Sequence, residues 1–132
     1  MSSALEAVQQ QLVTQLAAEP SLTGLISGLF DGPPPRAAFP YIALATGASL
    51  DWSHKGGVGR ELSLALTVHD DGETAARLHR VMALVEDALE TGLADPAGWQ
   101  IVTFDFRRTR IVRSAVSPWS GLVEYRARVL KI

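Results

Sequence analysis

The stretch from Arg60 to His69 constrains the fold more than any other part of the chain, because Leu62, Leu64, Leu66 and Val68 alternate without a break with Glu61, Ser63, Ala65, Thr67 and His69. Successive side chains of an extended strand point to opposite faces, so this pattern describes a strand with one apolar and one polar face. An apolar sheet face has to be covered. The next segment supplies the cover. Asp70, Asp71 and Gly72 end the strand, and a helix running to about Thr91 places Leu78, Val81, Met82, Val85 and Leu89 at spacings of three and four. Asp70 and Glu73 have the spacing of a capping box, and Gly92 stands where a left-handed C-terminal cap belongs.

The other elements arrange themselves around this pair. From Ala4 to Ala18, Leu5, Val8, Leu12 and Leu16 lie on one side of a helix, with Ser2 or Ser3 as its cap, Glu6 in its first turn and Pro20 limiting its end. Leu22 to Leu29 has near-helical spacing weakened by Gly24 and Gly28, which predicts a short helical turn and then a loop. Asp31, Gly32 and Pro33–Pro35 form an extended connector. Phe39 to Thr46 reads as a strand without alternation, hence one covered on both faces, and Gly47 to Gly59 as a loop or long hairpin tip. Trp99 to Val112 predicts a strand with Val102, Phe104 and Phe106 on one face and Thr103, Asp105 and Arg107 on the other; Arg108 and Arg110 continue the apolar parity, so that end leaves the core or is bulged. After a turn over Ser114 to Gly121, the last strand alternates Val123, Tyr125, Ala127 and Val129 with Glu124, Arg126 and Arg128. The expected fold class is α+β: residues 1–132 as one domain, a two-layer mixed or antiparallel four-stranded sheet with two main helices in the order α-β-β-α-β-β.

With 132 residues the chain has room for one core. No apolar run is long enough for a membrane span and no N-terminal signal-peptide layout is present, so no membrane partner is expected. The absence of cysteine rules out a disulfide framework and a thiolate metal site. The net charge of −2 provides no overall basic field for DNA, yet Arg107, Arg108, Arg110, Arg113, Arg126, Arg128 and Lys131 follow one another with Glu124 as the lone acid among them. That polarity describes either a docking surface for an acidic partner or solvated strand faces.

Chemistry that would mark an enzyme is missing. His54, His69 and His79 form no metal-ligand spacing, and Asp70 with Asp71 reads as helix capping. Gly56, Gly57 and Gly59 precede a strand, whereas a phosphate cradle needs a helix N-terminus. No catalytic residue, cofactor or metal is expected. Trp52, in a loop of polar residues and glycines, and Trp119, in the second hairpin, either fold back over the sheet or anchor an interface, as exposed tryptophans and arginines do when they fill a partner's pocket. The interface residues expected on exposure and chemistry are Trp52, Lys55, Arg108, Arg110, Arg113 and Trp119.

Taken in order, Phe30-Asp31-Gly32 with a following proline, Ala38-Phe39-Pro40-Tyr41-Ile42, Asp51-Trp52-Ser53 with Lys55, the Leu62–Val68 strand, the Gly72–Leu89 helix and Gly121-Leu122 with Tyr125-Arg126-Ala127 span nearly the whole chain. In this order the chain resembles the small tail-completion, or tail-terminator, proteins of long-tailed phages and gene transfer agents. The resemblance implies a non-enzymatic virion structural protein that forms a hexameric ring on the finished tail tube, ends tube polymerisation and joins the head. Its implied partners are further copies of itself, the major tail tube protein and the head-tail connector, with non-specific contact to DNA passing through the lumen. Its implied place is the tail at the head-tail junction, after assembly in the bacterial cytoplasm. Two other readings stay open: a head-to-tail connector or head-completion protein, and a cellular nucleic-acid or ligand-binding α+β domain.

Overall fold

The computed structural model describes residues 3–32, 34, 36–113 and 118–132, and the side chains of Ala45 and Thr46 are outside it. The expectations for Ser2, Pro33, Pro35 and the 114–117 part of the second turn lie outside the described residues. Eight elements follow in order: α1 (Ala4–Ala17), α2 (Pro20–Thr23), β1 (Leu29–Asp31), β2 (Tyr41–Asp51), β3 (Gly59–Asp70), α3 (Ala76–Leu89), β4 (Trp99–Val112) and β5 (Trp119–Lys131). The strands form one mixed sheet in the order β1-β2-β3-β5-β4, with β1 parallel to β2 and every other pair antiparallel.

The sheet therefore has five strands where four were expected. The addition is β1, in the stretch read as a loop after the helical turn: Pro20–Thr23 does form that turn, and Leu29–Asp31 then pairs with Ile42–Leu44. Three residues are too few to show an alternating pattern, and the pairing depends on the connector carrying the chain back alongside β2.

All three helices pack on one face of the sheet. Ser3 caps α1 by accepting the Glu6 amide at 3.1 Å, and Val8, Leu12 and Leu16 are fully buried on its inner side. In α3 the buried stripe is Leu78, Val81, Met82, Val85 and Leu89, as its spacing requires. They meet Leu62, Leu64, Leu66 and Val68 of β3 and Val123, Tyr125, Ala127 and Val129 of β5 in one hydrophobic core. Burying each such aliphatic side chain contributes on the order of 2 kcal/mol. Strand β4 reaches beyond this cover, and every residue from Asp105 to Val112 is exposed.

The expected capping box at α3 is absent. The helix starts at Ala76, its N-cap residue Ala75 has no side-chain bond, and Thr74 Oγ1 accepts the Ala76 amide at 3.3 Å. Asp70 is instead completely buried and receives Arg77 Nη2 at 2.5 Å, Arg77 Nε at 3.0 Å and the Asp71 amide at 2.9 Å. A buried carboxylate held by a guanidinium and an amide is a tether between β3 and α3, and this role outweighs capping. At the other end Gly92 adopts φ +98°, the conformation expected of the C-terminal cap.

Candidate interaction surfaces

On the face away from the helices the charged side chains of neighbouring strands meet as a ladder. Glu61 of β3 accepts Arg128 of β5 at 2.9 Å, Asp105 of β4 lies 3.5 Å from Arg126, and Glu124 accepts Arg108 at 2.6 Å and Arg110 at 3.3 Å. The hydrogen bond from Arg108, then the charges of Arg108 and Arg110, hold the Glu124 carboxyl below the usual carboxylate range. The charge polarity of the sequence is thus largely cancelled in space, because Glu61 and Asp105 come from other strands to face the arginines. Each rung is solvent-accessible and contributes little alone, but together they keep this face polar.

Strand β4 is bulged twice, between Ile101 and Thr103 and between Phe106 and Arg108. The first bulge was not legible. It puts Val102 out of register with Trp99 and Ile101 and leaves it 43% exposed. The second lies where the arginines continued the apolar parity, and it turns Arg108 and Arg110 onto the charged outer face opposite Glu124 and Leu122.

The six expected interface residues separate into two groups. Trp52 and Lys55 lie at the β2–β3 tip. There Asp51 accepts the hydroxyl and amide of Ser53 at 2.6 and 3.2 Å and Arg60 at 3.3 Å, bonds that hold its carboxyl low and close the turn. Trp52 is half-buried with the Arg128 guanidinium 5.4 Å from its ring centroid, while Lys55 is exposed. At the other end of the sheet, Arg113 stacks 4.7 Å from the ring centroid of Trp119, whose Nε1 donates to Gly72 O at 2.9 Å. Arg108 and Arg110 stand on the same half of β4. Residues of β3 register Gly59 with Leu130 and Asp70 with Trp119, so the Trp52 tip and the Trp119 end are separated by the length of a twelve-residue strand, roughly 40 Å, with Arg108 and Arg110 between them opposite Glu124 and Leu122.

Two further features were missed. On the outer face near the start of β2, Tyr41 stacks on His69 at 4.8 Å and on Phe39 at 5.6 Å, with Phe30 edge-on at 5.9 Å. This cluster covers the outer side of β2, which explains the unbroken buried run Tyr41–Leu44. Between α3 and β4 runs a groove of about 320 Å³, floored by Phe104, Phe106 and Tyr125 and rimmed by Glu86, Asp87 and Glu90. Phe104 stacks on Tyr125 at 4.8 Å, Phe106 meets it edge-on at 5.9 Å, and Phe106 remains 50% exposed. Burial, and then the nearby Glu86 charge, push the Tyr125 hydroxyl well above its ordinary range, so it stays protonated.

Among the described residues no group of three or more His, Asp or Glu side chains is placed to hold a metal ion. His54 accepts the Gly56 amide at 3.1 Å, His69 belongs to the aromatic cluster and His79 is exposed on α3. They do not converge.

The architecture recurs in solved structures. A chain in the virion of a native gene transfer agent particle superposes with a TM-score of 0.84 at 28% identity, covering 98% of this chain and 99% of that one. The gp17 protein of bacteriophage SPP1 shares the fold, with a TM-score of 0.62 at 17% identity over 96% of this chain and 89% of the other. No curated protein matches. The family model described as tail completion protein gp17 matches residues 10–130, nearly the whole chain, and the protein therefore belongs to the gp17 tail completion family.

Proposed function

We propose that residues 1–132 act as one tail-terminator domain that caps the finished tail tube as a hexameric ring, stops tube growth and presents the surface to which the head is joined. The observation that carries this reading is the likeness, over almost the full length of both chains, to a component of a gene transfer agent virion. The distribution of side chains supports it. A cap between tube and head needs two different docking surfaces, and the Trp52/Lys55 tip and the Arg113/Trp119 end lie at opposite ends of one sheet. Exposed apolar side chains accompany both ends, Leu50 and Val58 at one and Ile111 and Val112 at the other. The work is structural, its partners are the tail tube protein and the head-tail connector, and its place is the tail at the head-tail junction after assembly in the bacterial cytoplasm. A free-standing nucleic-acid domain is less well served, since Arg108, Arg110, Arg126 and Arg128 are already paired with carboxylates; any contact with DNA in the lumen would be non-specific.

Electron microscopy of particles from cells lacking this gene tests the proposal. Tailless heads beside overlong or uncapped tubes are expected. Tails of normal length that fail to join heads would move the protein to the connector side, and unaffected particles would refute both roles.

A further inference from the structure

A ring of identical subunits joins one patch of each protomer to a different patch of the next. The sheet order puts β1 at one edge and β4 at the other, so subunits set side by side bring the β1 side of one copy to the β4 side of its neighbour. On the β4 side lies the groove of Phe104, Phe106 and Tyr125 with Glu86, Asp87 and Glu90 on its rim. Among the described residues these three carboxylates have no ion-pair partner, in contrast to Glu61, Asp105 and Glu124. On the β1 side the connector between β1 and β2 carries, in sequence, Pro33-Pro34-Pro35-Arg36. Arg36 is exposed and has no carboxylate partner among the described residues.

The two patches are complementary in two independent ways. Proline-rich segments dock in aromatic-lined grooves, because their rings are apolar and their extended backbone loses little entropy on binding. Arginine is the side chain suited to a rim of carboxylates, where planar, charge-assisted hydrogen bonds form. The other cations without a carboxylate partner are less suitably placed. Among the described residues Lys55 is at the hairpin tip, Arg80 belongs to α3 itself, Arg107 is on β4, Arg113 follows β4 and stacks on Trp119, and Lys131 lies on β5 beside β4, so none of them stands on the β1 side.

Building on the ring reading, we infer that the acid-rimmed aromatic groove between α3 and β4 is the inter-subunit socket of that ring, and that its occupant is the Arg36-bearing connector of the adjacent copy. The contact is heterologous, it can close a ring, and it neutralises the groove's acids in the assembled state alone.

Because the chain has no cysteine, the contact can be tested by site-directed cross-linking in assembled particles and in the purified protein. Arg36→Cys with Glu90→Cys in one chain should give an oxidant-dependent ladder of cross-linked multimers, since a disulfide between two different positions of successive copies extends from copy to copy, whereas one closed within a copy would leave a monomer. Either cysteine alone should give no ladder. In parallel, Arg36→Glu should weaken self-association at least tenfold by native mass, as should Glu86→Arg with Glu90→Arg. Combining the reversed charges should restore it. A ring that forms in particles without cross-links, and that tolerates Arg36→Glu, would overturn the socket while leaving the ring intact. Absence of any ring in particles would overturn both.

Discussion

Gly121 decides how closely α3 can approach the sheet, and replacing it gives a test in which the sign of the effect carries the information. It lies inside β5, paired with Val68 on one side and Ile111 on the other, and its missing Cβ points at α3. A Cβ there would lie far inside van der Waals contact distance of Met82 Sδ and 3.0 Å from its Cε. A glycine within a strand ordinarily costs about 0.5–1 kcal/mol relative to alanine, so without that conflict Gly121→Ala would stabilise the protein. Overpacking a core costs about 1–3 kcal/mol, and the flexible thioether keeps this case near the lower half of the range. Met82 is only 4% exposed, which closes its escape to solvent. The balance is a net destabilisation of about 1 kcal/mol, or about 3–5 °C in Tm for a chain of this length. Met82→Ala alone should cost about 2–5 kcal/mol by leaving a cavity. In that background Gly121→Ala should become neutral or stabilising, so the double-mutant cycle is non-additive by roughly 1 kcal/mol or more. Urea unfolding followed by far-UV circular dichroism, with an unchanged m-value, measures all four proteins. Greater stability of Gly121→Ala in the parent background would refute the close-approach argument.

Burial lowers the His69 pKa below its ordinary 6.5. As pH falls the unfolded chain takes up the proton first, so the contribution of His69 is complete above about 6.5 and is lost as pH falls towards the folded-state value. Unfolding stability should therefore decline as pH falls below the ordinary 6.5, and His69→Gln should flatten that decline; an unchanged slope contradicts the assignment. Gly92→Ala, at φ +98°, should cost roughly 1–2 kcal/mol in thermal unfolding. Gly56→Ala, whose Cβ would meet the His54 ring at an ordinary 3.6 Å, should stay within about 0.5 kcal/mol. In particles, Trp52→Ala with Lys55→Glu should impair one joint of the tail and Arg113→Glu the other, one giving tubes of uncontrolled length and the other headless tails. Identical defects from both would contradict a two-ended cap.

Local pattern was enough for β3, α3 and β5, because each has a single periodicity and a single buried face. It was enough for α1 and for the residue range of β4 as well. It fell short where the deciding contact is remote in sequence. β1 exists because Leu29–Asp31 finds Ile42–Leu44, and no local pattern announces a three-residue strand. The signal for Asp70 was present: it continues the Leu62, Leu64, Leu66, Val68 parity, so an acid on the buried side requires a partner, and Arg77 in the first turn of the next helix provides it. Sequence alone leaves the arginines of β4 and β5 open between a docking surface and solvated strand faces, because Glu61 and Asp105 become their neighbours only when strands pair. The socket groove needs α3 and β4 side by side. Its signal was the cluster Glu86, Asp87 and Glu90 beside the helix's apolar stripe, with aromatic residues on both strands of the following hairpin.

Cryo-electron microscopy of complete particles, with this chain built into the density, tests the central claim most directly. The account predicts six copies in one ring at the head-proximal end of the tail, with the Trp52 tip and the Trp119 end facing opposite ways along the tail axis. Copies distributed along the tube, located at its distal tip, or fixed within the head portal would contradict it.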